Sequence, residues 1–273
     1  MQWRLCFPFL SCLLCLSEGW TLPFLLSDKP ESTVELPTYH KRAWQTARVA
    51  VHYLNYQTAS PSSLLDLGEV KKATVKNVPG IGSKYNIQFT TEDLKTKEKV
   101  GACFATVFFQ YKKPHPAVNV KCTNNINPKQ VKEDDYNFYK EIKQQSQPIT
   151  ANDIPDSHGN VDPSNEPLRD LAFIGSSFML WEMSSESLYY FMAQVKSVKQ
   201  RLRNDYLLDF DYNIILHEFP TQEMVPCHMH VVWYPGQHMK VKYDCSPVAE
   251  SQESEEGSSG GRSEEGSASF GNF

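Results

Sequence analysis

The stretch KYNIQF at residues 84–89 returns near the end of the chain as DYNIIL at residues 211–216. In each half the Tyr-Asn-Ile motif is followed by two cysteines, and the two cysteine spacings differ by a single residue. These cysteines are Cys103 and Cys122 in the first half and Cys227 and Cys245 in the second. Repetition of a motif at matched spacing predicts a tandem of two similar structural units.

The first residues of the chain resemble a secretory signal. Arg4 precedes a short apolar run at residues 5–16, and the small residues Ser17 and Gly19 follow it. This order is typical of a signal peptide over residues 1–19, and the run is too short to span a bilayer. The alternative is a buried N-terminal helix. Removal of the signal takes away three of the seven cysteines, and the other four enter an oxidising compartment.

The four remaining cysteines allow three disulfide connectivities. The repeat favours pairing within each half, Cys103 with Cys122 and Cys227 with Cys245. The alternative is two pairs of free or metal-bound thiols. Each disulfide would stabilise the fold by about 3 kcal/mol through restriction of the unfolded chain.

Hydrophobic periodicity predicts one helix and four strands in each half. In the run at 84–89, Tyr85, Ile87 and Phe89 share one face, which indicates a sheet covered on one side. The first helix should cover residues 38–57, with Thr38 as its N-cap, and the second should begin at Ser164 or Asn165. The predicted strands are 64–76, 84–91, 100–111 and 117–123, then 188–203, 207–218, 224–234 and 238–245. This pattern predicts an α+β fold in which a curled four-stranded antiparallel sheet wraps each helix.

The predicted organisation follows the repeat. The signal peptide at 1–19 precedes an extended segment at 20–37. The two subdomains are predicted at 38–127 and 163–246, and residues 128–162 between them supply a connecting helix, expected at 133–147, and a linker. Residues 247–273 are predicted to form a disordered acidic tail. From residue 250 onward the tail carries six acidic residues and one basic residue, which equals the net charge of −5 of the whole chain. The body is therefore close to neutral, and its bulk charge does not predict a nucleic-acid partner.

Motifs that would indicate an enzyme are missing from the sequence. His217-Glu218 begins like a zinc-protease motif, but residue 221 is threonine and the segment is a predicted strand. His228 and His230 share a strand face without an evident third ligand, so a polar strand face is favoured over a metal site. We predict no catalytic residues, no cofactor and no bound metal. A basic strip follows at Lys196, Lys199, Arg201 and Arg203, where edge protection is favoured over binding to an anionic membrane.

Several motifs resemble the latexin family. They are YLNYQ at 53–57, IPDSHGNV at 154–161, AQVKSVKQ at 193–200 and LHEFPTQEMVP at 216–226. The similarity runs from residue 38 to Cys245. Two further motifs, LAFIGSS at 171–177 and VWYPG at 232–236, resemble the secreted branch of the family more than latexin itself. This branch includes the retinoic-acid-responder and eggshell matrix proteins. The resemblance implies two cystatin-like subdomains joined by a helix.

The resemblance also implies a function for one loop. Latexin-like proteins inhibit A/B-type zinc metallocarboxypeptidases, and their inhibitory loop joins the second and third strands of the second half. In this chain that loop is Phe219, Pro220, Thr221, Gln222, Glu223 and Met224. Gln222 stands where a latexin glutamine approaches the active site of the enzyme. The alternative is a polar hairpin tip without a partner.

The chain departs from the latexin pattern at two positions around this loop. Pro220 replaces a smaller residue, and Cys227 stands where latexin has tryptophan, so the base of the loop should be braced differently. The nearest approach to the cystatin motif Gln-X-Val-X-Gly begins at Gln194 and lacks the glycine. Inhibition of cysteine proteases is therefore not expected.

A second function is predicted from the eggshell relative and from the tail. Ser251, Ser254 and Ser263 fit the Ser-X-Glu pattern of secretory kinases, and phosphorylation there would add charge for binding calcium carbonate or matrix proteins. The chain would then act as a structural protein of a mineralised extracellular matrix, without inhibition. A third possibility is antimicrobial defence. The alternative for the tail is an unmodified solubilising segment.

Overall fold

The computed structural model describes residues 33–219 and 221–245. Within them the chain is α+β, with two five-stranded antiparallel sheets and three α-helices. The predicted signal peptide, most of the extended segment, Pro220 and the acidic tail with its three serines lie outside the described residues. Among the described helices, none combines the length and apolarity that a membrane crossing requires.

Sheet 1 is built from the first half of the chain. Its strands are β1 (Thr33–Leu36), β2 (Leu65–Val78), β3 (Gly82–Asp93), β4 (Lys99–Gln110) and β5 (Ala117–Asn124), and they neighbour one another in chain order. Helix α1 (Lys41–Thr58) precedes β2. It packs three alanines, Ala43, Ala47 and Ala50, into the core of this half without any exposed surface.

Sheet 2 is built from the second half and has the same order in space. Its strands are β6 (Thr150–Ile154), β7 (Tyr189–Gln200), β8 (Leu208–Phe219), β9 (Met224–Trp233) and β10 (Lys240–Cys245). Helix α2 (Pro128–Lys143) leads into this half, and helix α3 (Glu166–Met183) precedes β7. The buried face of α3 packs into the core of this half through Leu171, Ala172, Ile174, Met179 and Leu180.

The predicted four strands in each half are corrected to five. The additional strands are β1, in the segment predicted as extended, and β6, in the segment predicted as linker. Each is short and pairs with an edge, β1 with β2 and β6 with β7. The sequence of β6 lacks the alternating apolar pattern of a half-buried strand, and that of β1 alternates over four residues only, which is too short to predict a strand. Their strand conformation therefore depends on the edge beside them rather than on their own sequence.

The helix boundaries also differ from the prediction. His40 caps α1 in place of Thr38, since its Nδ1 accepts a hydrogen bond from the N–H of Arg42 at 3.2 Å. The connecting helix α2 begins at Pro128 rather than at residue 133, because the Asn127 side chain accepts from the N–H of Lys129 and proline fits the first helical turn. Asn165 precedes α3 as predicted, although its side chain makes no capping hydrogen bond.

The two predicted disulfides are confirmed. Cys103 pairs with Cys122 between β4 and β5, and Cys227 pairs with Cys245 between β9 and β10. In both sheets the two cysteines are directly opposite one another in the strand register. Each disulfide therefore fixes the last strand of its sheet against the neighbouring strand.

Contacts between two helices and a hydrogen bond from Trp233 are among the links between the two halves. Helices α1 and α3 contact each other, with the ring of Tyr53 5.1 Å from Trp181 and the ring of Tyr56 4.7 Å from Phe178. The indole of Trp233 on β9 is 1% exposed and donates to the carbonyl of Ala59, the C-cap residue that follows α1, at 2.7 Å. This buried hydrogen bond ties the first helix to the second sheet.

Candidate functional site

The predicted inhibitory loop forms the tip of the β8–β9 hairpin. The last strand pairs before the tip are Leu216 with Val225 and His217 with Met224. Thr221, Gln222, Glu223 and Met224 are all exposed, and Met224 retains 52% of its accessible surface. The hairpin therefore presents a polar tip with one large apolar side chain to solvent.

Hydrogen bonds to one residue hold this tip. The carbonyl of Glu218 accepts from the N–H of Gln222 at 3.0 Å, and the N–H of Glu218 donates to the carbonyl of Glu223 at 2.9 Å. The Glu218 carboxylate accepts from the hydroxyl of Thr221 at 2.7 Å. Burial, and then the Glu218 carboxylate beside it, raise the pKa of Tyr190 to about 12. Glu218 thus connects the tip of the hairpin with Tyr190 on the neighbouring strand β7.

Gln222 has a left-handed backbone, with φ of 68°. This conformation is uncommon for a residue other than glycine, asparagine or aspartate, and it costs free energy. The surrounding hydrogen bonds keep the backbone in this state. As a result, Gln222 lies at an exposed and sharply turned point of the hairpin with little freedom in its main chain.

Four aromatic rings brace the base of the hairpin. Phe219 stacks on Tyr189 at 5.0 Å, and His217 meets Phe191 edge-on at 4.7 Å. The register places Tyr189 opposite Phe219 and Phe191 opposite His217. The sequence prediction missed this cluster. The signal was present as aromatic residues at alternate positions, Tyr189 and Phe191, then His217 and Phe219, in two predicted strands.

The Cys227–Cys245 disulfide stabilises the hairpin on its β9 side. Cys227 lies three residues along β9 from Met224 and is bonded to Cys245 on the edge strand β10. Cys227 is 4% exposed and packs in the core of the second half. The strand that carries the C-terminal side of the tip is therefore fixed both to its neighbour and to the core.

A cavity of about 450 Å³ lies between the halves and reaches the base of this hairpin. It is lined by residues of α1, β2, α3 and β7, together with Leu94 and Phe219. Apolar side chains are the majority of the lining, which also includes Arg48, Asp66 and the buried His52. The Nδ1 atom of His52 is 3.4 Å from the Ser177 hydroxyl. Burial in this environment first, and then the positive charge of Arg48, lower the pKa of His52 to about 4, while Asp66 acts in the opposite direction.

His52 is expected to make stability depend on pH in the mildly acidic range. Below its ordinary pKa of 6.5 the unfolded chain binds a proton that the folded protein does not accept until the pH approaches 4. The stabilising contribution is therefore present above pH 6.5 and is lost as the pH falls towards 4. Between pH 7 and pH 5, the wild type should lose about 2 kcal/mol more of its free energy of unfolding than His52→Gln.

Denaturant unfolding of both proteins at several pH values measures this difference. Comparing the pH slopes, rather than the absolute stabilities, removes the direct cost of the substitution. Equal slopes for the wild type and His52→Gln would contradict a neutral buried His52.

The residues considered for metal binding are engaged by other side chains. His230 Nε2 is 2.8 Å from Asp209 Oδ1, and His228 Nε2 is 3.7 Å from Asp211 Oδ1. Arg203 pairs with Asp209, and Arg201 pairs with Asp211. No group of three or more metal-binding side chains occurs in the part of the chain that the structure describes. Three residues of the basic strip, Lys196, Arg201 and Arg203, are thus paired with carboxylates.

Comparisons with known proteins identify relatives over most of the chain. The Latexin family model matches residues 36–251. Human retinoic acid receptor responder protein 1 is 43% identical over 224 residues, with 78% of this chain and 76% of that protein covered. Chicken ovocalyxin-32 is 42% identical, with 86% of each chain covered. Mouse latexin is 34% identical, with 80% of this chain and 99% of that protein covered.

Proposed function

The chain belongs to the latexin family, and from this membership we propose that it inhibits zinc metallocarboxypeptidases through the tip of the β8–β9 hairpin. In this proposal the tip enters the funnel above the zinc ion of the enzyme, with Gln222 foremost. Phe219, Pro220, Thr221, Glu223 and Met224 complete the contact. The chain is then a binding protein without catalytic activity, cofactor or metal of its own.

The observation that carries the proposal is the exposed, hydrogen-bonded tip with Gln222 in the left-handed conformation. A loop that is ordered before binding loses little conformational entropy when it binds, and this favours tight inhibition. The aromatic rings at the base of the hairpin and the Cys227–Cys245 disulfide also favour a hairpin that is ordered before binding. Such bracing is what an inhibitor needs to resist deformation inside a narrow active site.

The cystatin-like division into subdomains is part of the proposal. Each half contributes a helix, an antiparallel sheet and a disulfide between the last two strands, in the same chain order. This correspondence supports two cystatin-like subdomains at 38–127 and 163–246, connected by α2 and the linker. The fifth strands extend the subdomains beyond the predicted plan of four.

Secretion is proposed as well. The two disulfides fit an oxidising compartment, and the predicted signal at residues 1–19 would direct the chain there. Roles in a mineralised or eggshell matrix, through Ser251, Ser254 and Ser263, and in antimicrobial defence stay predictions, since those serines lie outside the described residues.

Titration of an A-type zinc carboxypeptidase with the purified mature chain tests the proposal. We expect turnover to fall as inhibitor is added and to approach zero near one equivalent at micromolar concentration. A papain-like cysteine protease serves as the control and should keep its full activity, because the cystatin glycine motif is missing. Unchanged carboxypeptidase turnover at micromolar inhibitor would overturn the proposed function.

A further inference from the structure

The cavity between the two halves has the size and the lining of a small-molecule site. Its volume is about 450 Å³, and sites for small molecules range from about 300 to 1,000 Å³. Spaces inside a packed protein are rarely larger than a water molecule. Aromatic side chains supply much of the apolar lining: Phe173, Tyr189, Tyr190, Phe191 and Phe219. The cavity is therefore large enough, and apolar enough, to hold an organic molecule.

The cavity is open to solvent at one point and buried at another. Phe191 on β7 is 37% exposed although it belongs to the lining. Leu180 on α3 belongs to the same lining and has no exposed surface, and Leu65 on β2 is 6% exposed. A ligand can therefore enter from the surface and bury an apolar group between the halves.

Arg48 on α1 brings a positive charge to this lining. Its charge acts on His52, Asp66 and Tyr189, which all line the cavity. The Arg48 side chain is half-buried, and it makes no hydrogen bond or ion pair with any residue that the structure describes. Withdrawing a charge from water costs free energy unless an anion compensates it. The guanidinium is therefore available to an anionic ligand.

The carboxylate nearest in the lining, Asp66, has partners of its own. Its Oδ2 accepts a hydrogen bond from Lys97 at 2.9 Å, and its Oδ1 accepts from the N–H of Leu67 at 2.8 Å. Lys97 thus compensates the charge of Asp66. His52 is neutral near pH 7, because burial first, and then Arg48, lower its pKa to about 4. The cavity consequently offers one positive charge beside an apolar space.

We propose that this cavity binds an apolar monocarboxylate, a small molecule with a hydrocarbon body and a single carboxylate. The planar guanidinium of Arg48 matches the two oxygens of a carboxylate. A phosphate monoester carries close to two negative charges near pH 7, and the described lining contains no second cation. A neutral apolar molecule would leave Arg48 without a partner. The hydrocarbon body gains free energy by leaving water for the apolar lining.

Titration calorimetry with decanoate near pH 7 tests this proposal, and decanol serves as the matched ligand without a carboxylate. The test variant Arg48→Gln removes the charge and keeps a polar side chain. The control Lys41→Gln removes one charge from the exposed first turn of the same helix, outside the lining. We expect Arg48→Gln to lose about tenfold or more in affinity for decanoate and to bind decanol within about twofold of the wild type. The control should bind decanoate like the wild type.

A second variant tests the location of the site. Met192→Trp places a larger side chain at a half-buried position of the lining and should weaken both ligands by about tenfold or more. Thermal unfolding verifies that each variant is folded, and decanoate should raise the Tm of the wild type. Three results would overturn the proposal: no saturable binding by the wild type, equal decanoate affinities of Arg48→Gln and Lys41→Gln, or unchanged decanoate binding by Met192→Trp. No carboxypeptidase takes part, so each of these results is independent of the proposed inhibition.

Discussion

Replacement of Trp233 by alanine is expected to lower the free energy of unfolding by about 4 kcal/mol. The indole is 1% exposed, and its ring is 5.6 Å from Phe138 on α2. Its Nε1 also donates to the carbonyl of Ala59 at the end of α1. The substitution therefore opens a cavity in the second half and breaks a buried contact to the first half at the same time.

Denaturant unfolding measures this effect, and Trp233→Phe is its matched control. Phenylalanine keeps an aromatic ring in the core but cannot donate to Ala59, so its cost should be about 1 to 2 kcal/mol. The difference between the two variants separates the packing of the ring from its hydrogen bond to Ala59. A cost below about 1 kcal/mol for Trp233→Ala is what a surface position would give, and it would contradict the role of Trp233 in joining the halves.

Gln222→Ala is expected to raise the inhibition constant for an A-type zinc carboxypeptidase by about thirtyfold or more. Residues at the centre of a tight interface contribute about 2 kcal/mol or more each, which corresponds to that factor. Gln222 has the foremost position at the tip in the proposed complex. The measurement is the inhibition constant from turnover assays over a range of inhibitor concentrations.

Two further variants separate the side chain of Gln222 from its backbone. Asparagine tolerates the left-handed conformation but is shorter by one methylene group, so Gln222→Asn should keep the turn and still lose affinity. Gln237→Ala removes an exposed glutamine from the turn after β9, at the opposite end of that strand, and should inhibit as well as the wild type. If Gln222→Asn inhibited like the wild type, the backbone alone would form the contact.

Most of the fold could be predicted from the sequence because its signals are local. The strands of each half alternate apolar and polar residues, and the repeat of Tyr-Asn-Ile and cysteine positions favoured the disulfide pairing that the structure has. Strands β1 and β6 were missed because TVEL alternates over only four residues and TANDI has no such pattern. They become strands only beside the free edges of β2 and β7, and these edges exist only once the sheets have formed.

The position of the hairpin could be predicted from two strands with a short connection, and its choice as the candidate site came from the resemblance to the latexin family. The geometry of the hairpin could not be predicted. The left-handed backbone of Gln222, by contrast, results from hydrogen bonds to Glu218 that depend on the strand register. The burial of Asp209 could not be predicted either, because its pairing with Arg203 and His230 depends on the fold. The backbone conformation of Gln222 and the burial of Asp209 both depend on contacts with residues that are distant in sequence, and the sequence does not show these contacts.

The central claim is that the β8–β9 hairpin occupies the active site of a zinc carboxypeptidase. Competition binding tests it most directly: the wild-type chain is titrated into the enzyme with and without a saturating small inhibitor that binds the catalytic zinc. The account predicts tight binding that the small inhibitor abolishes and that Gln222→Ala weakens. Binding that is unaffected by the occupied zinc site, or no binding at all, would contradict it.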